Sequence, residues 1–139
     1  MSMLTAAAPR QNRQLGRSVV AVTAAIVANV VLSVGTDQVF HVLGVYPPWG
    51  QPMYDASLNL LALGYRIVFG VTAGYVVARL APRAPMRHAA VLGAIALALS
   101  TLGAMASVTQ YDLGPAWYPI TLAITAFPCV WLGATLHRP

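Results

Sequence analysis

Hydropathy divides the chain into four apolar runs, at about 18–42, 58–80, 89–108 and 116–136, joined by short segments rich in proline, glycine and polar residues. Each run is about 20 residues or longer. Wound as a helix at about 1.5 Å per residue, that length crosses a hydrocarbon core of about 30 Å. The connections fall at 43–55, 81–87 and 109–115. Connections this short make neighbouring helices antiparallel. In the first, VYPPWGQPMY, three prolines remove backbone donors and stop a helix, while Tyr46, Trp49 and Tyr54 suit headgroup level. The second, APRAPMR, is a proline-marked turn with His88 just beyond it. The third holds Gln110, Tyr111 and Asp112. Pro119 falls in the first turn of the fourth run, where proline is tolerated, and Pro128 falls mid-helix, where a kink is expected. The predicted fold class is all-α, an antiparallel four-helix transmembrane bundle.

Composition agrees with that reading. Of 139 residues, 58% are hydrophobic and 8% charged, and mean hydropathy is +0.69. A soluble domain carries about a quarter charged residues, so this chain has too few to cover a surface in water. The lipid bilayer is its expected surroundings. A net charge of +5 raises nucleic acid as a partner. However, lysine is absent and the arginines lie at the ends of apolar runs, which is membrane topology rather than a basic patch.

The arginines also orient the chain. Arg10, Arg13 and Arg17 stand in a basic tail over residues 1–17, Arg79, Arg83 and Arg87 around the second connection, and Arg138 at the C-terminus. The other two connections carry only Asp55 and Asp112. Both termini are therefore expected in the cytoplasm. A basic start before an apolar run also resembles a signal peptide, with Ser33-Val34-Gly35 as a small-residue cleavage site. The 18–35 run exceeds the usual h-region, which favours an uncleaved span.

One residue departs from the apolar pattern. Arg66 sits near the middle of the second run, where a charge costs about 2.5–3.5 kcal/mol on insertion scales and needs a partner, water or a function. In the first run Asn29, Ser33, Asp37 and His41 recur every four residues and so share one helix face. Rise per residue puts Asp37 about 30 Å above Arg17 and Arg66 about 20 Å above Arg79. Side chains lean toward the N-terminus of their own helix, so in antiparallel neighbours the two converge. An Arg66–Asp37 ion pair is expected, with Asn29, Ser33 and Asn59 as polar neighbours. That cluster has two readings, a clasp that fixes helix packing or, with His41, a titratable site of the kind proton-coupled carriers use.

Small residues suggest where helices touch. Gly70 and Gly74 form a GxxxG, and Gly93, Ser100 and Ser107 make a small or hydroxylated seam on the third run. Other chemistry is sparse. His88 and His137 both fall at the cytoplasmic edge, a geometry that bis-histidine haem ligation would use, but histidine is ordinary at helix ends beside arginine. Three histidines without a thiolate pair or HExxH make no metal-ligand set. Cys129 is single and within an apolar run, so it reads as a small buried hydrophobe. No motif marks a nucleophile beside a base, and no cofactor is implied.

The segments GYVVARLAPRAPMRHAAVLG and DLGPAWYPITLAITAFPCVWLGATL, through their R-L-A-P-R turn and L-G-P-x-W-Y-P helix start, resemble uncharacterised short four-span inner-membrane proteins of proteobacteria. The resemblance covers the last half of the chain. It implies the fold and a bacterial inner (plasma) membrane location and carries over no functional residue. Two functions stand open. One is a non-enzymatic accessory or interaction subunit that packs through small-residue faces against a membrane protein partner. The other is a small homo-oligomeric proton- or ion-coupled carrier or channel using Asp37, His41 and Arg66.

Overall fold

The computed structural model describes residues 2–109 and 114–137, with side chains from residue 11 onward. Gln110, Tyr111, Asp112 and Arg138 lie outside the described residues. Four helices form an antiparallel bundle: α1 (Ser2–Val42), α2 (Ala56–Leu80), α3 (Pro85–Thr109) and α4 (Trp117–Leu136). All four are long and apolar enough to cross a membrane, which makes this a multi-pass integral membrane protein. α1 continues N-terminally through the basic segment, so its helix is longer than its apolar stretch.

The ends of the helices follow local chemistry. Gly44, at φ +76°, turns the chain out of α1, and the Val45 N–H donates back to the Phe40 carbonyl at 2.9 Å. This is the left-handed glycine exit common at helix C-termini. Asp55 caps α2, its carboxylate accepting from the Ser57 N–H at 2.8 Å and the Leu58 N–H at 3.4 Å. α3 opens on Pro85, a position where the missing N–H is harmless. Arg87 and His88 therefore belong to the first turn of α3 rather than to the connection. Hydroxyls inside the spans satisfy themselves: Thr72, Thr101 and Thr121 each donate to the carbonyl four residues earlier. Lipid offers no alternative acceptor.

α2 is the central helix. It packs along α4 and α1 and also touches α3, and α3 and α4 form a close hairpin. Among the described residues α1 meets α3 only narrowly and makes no close backbone approach to α4. The tightly packed core comprises Ala21, Ala25, Ala73, Val77, Ala78, Ala89, Leu92, Val130 and Ala134. These lie from mid-bundle toward the end that carries the 81–84 turn (the terminal end). Most are alanine, because with lipid outside, helices gain by approaching closely rather than by burying large side chains. Large residues point outward: Val20, Leu102 and Ile124 are all more than half exposed.

Glycine permits the closest contact. A Cβ on Gly74 would overlap the Val130 carbonyl, and one on Gly133 would overlap the Val71 carbonyl. α2 and α4 thus touch backbone to backbone at two reciprocal points. Gly70 faces Cys129, with 3.2 Å available, and Gly93 faces the Phe127 ring, with 2.7 Å. The three glycines singled out from the sequence are all occupied by α4 of the same chain.

Candidate functional site

The polar residues gather in the other half of the bundle, toward the 43–55 connection (the loop end). Asp37 is 8% exposed and its carboxylate is held from α2 on both oxygens. Arg66 Nη2 donates to Oδ2, making the ion pair, and the Tyr65 hydroxyl donates to Oδ1. The pair and the phenol follow from one turn of helix: adjacent residues 65 and 66 straddle the face of α2 that meets α1.

The Tyr65 hydroxyl lies 3.0 Å from that of Tyr46. Since Tyr65 spends its only proton on Asp37, Tyr46 is the donor between the two. A directed chain results, Tyr46 to Tyr65 to Asp37, running from the connection into the bundle. Phe40 packs on both rings, at 5.2 Å from Tyr46 and 5.8 Å from Tyr65. Burial pushes the Tyr46 phenol above its ordinary value, so it remains a neutral donor. From α4, Tyr118 brings its hydroxyl beside Arg66.

The other residues of the expected cluster take different partners. His41 donates from Nδ1 to the Asp37 backbone carbonyl at 2.6 Å and stacks on Trp49, with centroids 3.8 Å apart and planes 6° apart. Trp49 in turn donates to Gln38 at 3.0 Å. His41 thus pins the connection and does not reach the carboxylate. Asn59 is 2% exposed and donates to the Met53 and Asp55 carbonyls at 3.0 and 2.8 Å, which ties the connection to the start of α2. Ser33 donates to Asn29 at 3.4 Å, one turn toward the terminal end.

Two cavities flank Arg66. One, of about 230 Å³, lies between all four helices. Its floor is the packed core (Ala25, Ala73, Leu92, Val130), and its polar points are Asn29, Ser33, Ser100 and Thr125. The other, of about 440 Å³, lies nearer the loop end among α2, α3 and α4, with Met53, Asn59, Gly114 and Tyr118 in its wall. Arg66 lines both, with Leu99, Ser100 and Leu122. The guanidinium therefore forms part of the partition between the two spaces. Its Nε is buried without a hydrogen-bond partner, and 32% of the side chain stays exposed. A buried donor left unmatched is uncommon and carries a desolvation cost.

His88 and His137 are engaged by other protein groups. His88 has Nδ1 at 3.1 Å from the Ala84 carbonyl and Nε2 at 2.8 Å from the Ser18 hydroxyl, while the His137 ring lies edge-on to Tyr75. Among the described residues no group of three histidine, cysteine, aspartate or glutamate side chains is placed to hold a metal.

Tyr65, Tyr46 and Tyr118 are site residues that sequence reasoning missed. A signal existed for Tyr65, whose phenol sits at mid-span depth and needs a partner there. Tyr46 read as an interfacial aromatic and Tyr118 drew no reading, and only the fold turns both inward. Comparisons with protein-family models, with curated proteins and with solved structures found no match. The chemistry of the site has to carry the functional reading.

Proposed function

We propose that the chain is a small carrier of the bacterial inner (plasma) membrane, with both termini in the cytoplasm and a cargo site at Arg66. The observation that carries this reading is the partition: Arg66, the only arginine of the loop half among the described residues, stands between two cavities, and a tightly packed core of alanine, valine and leucine fills the bundle toward the terminal end. A charged residue between two cavities, with the bundle tightly packed on their terminal side, is what one state of an alternating-access site requires. Asp37, neutralising that cation, supplies the titratable partner for proton coupling. The accessory-subunit reading draws less support, because Gly70, Gly74 and Gly93 are filled by α4 and are not free for another protein. With only four spans, the carrier would work as a homo-oligomer.

The test is aqueous access. Ser100→Cys, in a Cys129→Ser background and reconstituted in vesicles, is treated with a membrane-impermeant thiol reagent. The carrier reading expects modification from the loop side and none from the terminal side. A thiol unreactive from both sides makes the cavities dry packing defects, and the Asp37–Arg66 pair a structural clasp.

A further inference from the structure

We infer that the ligand of this site is a singly charged amphiphilic anion, its head on Arg66 and its tail in the central cavity, taken up together with one proton on Asp37. The inference rests on the carrier reading above and names its substrate class.

Charge comes first. Arg66 is the only charged side chain lining either cavity among the described residues, and Asp37 lines neither. A ligand in these spaces meets one positive charge. It also meets a guanidinium with capacity to spare: Asp37 engages only Nη2, and 32% of the side chain is exposed. A head group with several acceptor oxygens, such as a carboxylate, sulfonate or phosphate ester, would match those donors. Tyr118 and Ser100 stand beside Arg66 in the cavity walls, placed to add hydroxyl donors.

Shape comes second. The central cavity is floored and walled by Ala25, Ile67, Ala73, Leu92, Ile95 and Val130, and apart from Arg66 its polar points are neutral. An apolar cavity of about 150 Å³ holds a benzene ring, so by simple scaling about 230 Å³ holds roughly nine carbon atoms. The arrangement suits a single short apolar chain, with the head at the partition.

Coupling follows from the pair itself. While Asp37 is ionised, Arg66 is already neutralised, and a second anion would leave a net negative charge in a low-dielectric site. Protonating Asp37 releases the guanidinium. Anion and proton then enter together and the site's net charge does not change. The groups facing Asp37 allow this. From α2 come Tyr65 and Arg66; Tyr46 reaches it through Tyr65; Tyr118 approaches from α4; His41, on its own helix, holds its backbone carbonyl. Only Asp37 can both leave Arg66 and stay neutral. The Tyr46–Tyr65 chain leads from the connection to its Oδ1 and offers the proton a path.

Octanesulfonate is the probe, because its head stays ionised throughout the working pH range. Its binding to the full chain in phosphatidylcholine nanodiscs is measured by titration calorimetry against empty discs, between about pH 5 and about pH 8. Over the range where Asp37 is ionised, affinity should fall about tenfold per pH unit, as one linked proton requires. Asp37→Asn should bind with an affinity independent of pH and, at the upper pH, more tightly than the wild type. Octanol and ethanesulfonate should bind at least about tenfold more weakly, lacking the charge and the tail respectively. Arg66→Gln should abolish binding; should it not fold, Asp37→Asn decides alone. Discs containing phosphatidylglycerol identify the source: competition points to a bilayer lipid, and its absence to a free amphiphile. Wild-type affinity that ignores pH, or Asp37→Asn binding no tighter than the wild type at the upper pH, overturns the inference. If that happens while Ser100→Cys is still modified from the loop side, the carrier reading survives and only the substrate class falls.

Discussion

Gly133→Ala is the sharpest test of how this bundle is held together. The added methyl would overlap the Val71 carbonyl oxygen and come within 2.8 Å of its carbon and 2.9 Å of the Tyr75 nitrogen. These are backbone atoms and cannot rotate away, so α4 must move off α2. Overpacking of this kind costs about 1–3 kcal/mol, and the upper end applies where no side chain can yield. Gly74→Ala meets Val130 across the same seam and should cost a similar amount. Once either methyl has parted the helices, the second meets less resistance. The double variant should therefore lose less than the sum of the singles. Gly70→Ala, with 3.2 Å to the Cys129 Cβ, should be milder, and Gly64→Ala, with open space, neutral or slightly stabilising through helix propensity. Unfolding in mixed micelles of rising sodium dodecyl sulfate, followed by tryptophan fluorescence, ranks the set. The reasoning is refuted if Gly133→Ala is as stable as Gly64→Ala, or if the double variant is fully additive.

Three further outcomes use the same unfolding assay. Arg66→Ala should cost about 2–3 kcal/mol, less than the 3–5 of a fully buried pair because 32% of the Arg66 side chain is exposed, and exchanging the two charges (Asp37→Arg with Arg66→Asp) should restore part of it. Ala84→Gly should stabilise by about 1 kcal/mol, since Ala84 holds φ at +47°, a region that favours glycine; an unchanged or lower stability would count against strain in the 81–84 turn. Tyr46, whose phenol burial raises above its ordinary 10.0, binds its proton more tightly folded than unfolded. Its contribution is complete below pH 10 and is lost as pH rises through the folded value, so the wild type should lose stability in strong alkali faster than Tyr46→Phe does.

Much of the architecture could be read from the chain because membranes impose simple rules. Four runs of spanning length require four helices, for a backbone in lipid has to bond to itself. Arg66 and Asp37 were predictable partners because depth along a helix is only a count of residues, and both side-chain directions follow from chain direction. Gly74 and Gly93 stood out as contact points because only a missing side chain permits so close an approach. Pattern could not say which helix fills them. Gly133, which completes the seam from α4, drew no notice for want of a second glycine four residues away.

What depends on one helix at a time was thus legible in the chain: the number of spans, their approximate extent, and the depth of each polar side chain. Tertiary structure decided what depends on how helices rotate against one another. It sent His41 to Trp49 and Asn59 to the connection. It brought Tyr65, Tyr46 and Tyr118 to the ion pair instead, and it set Arg66 between two cavities. The physical reason is that periodicity reports a helix face only to within a wide arc, whereas a hydrogen bond selects among neighbours that differ by a single residue. In a chain with so few polar groups, that choice separates a clasp from a site.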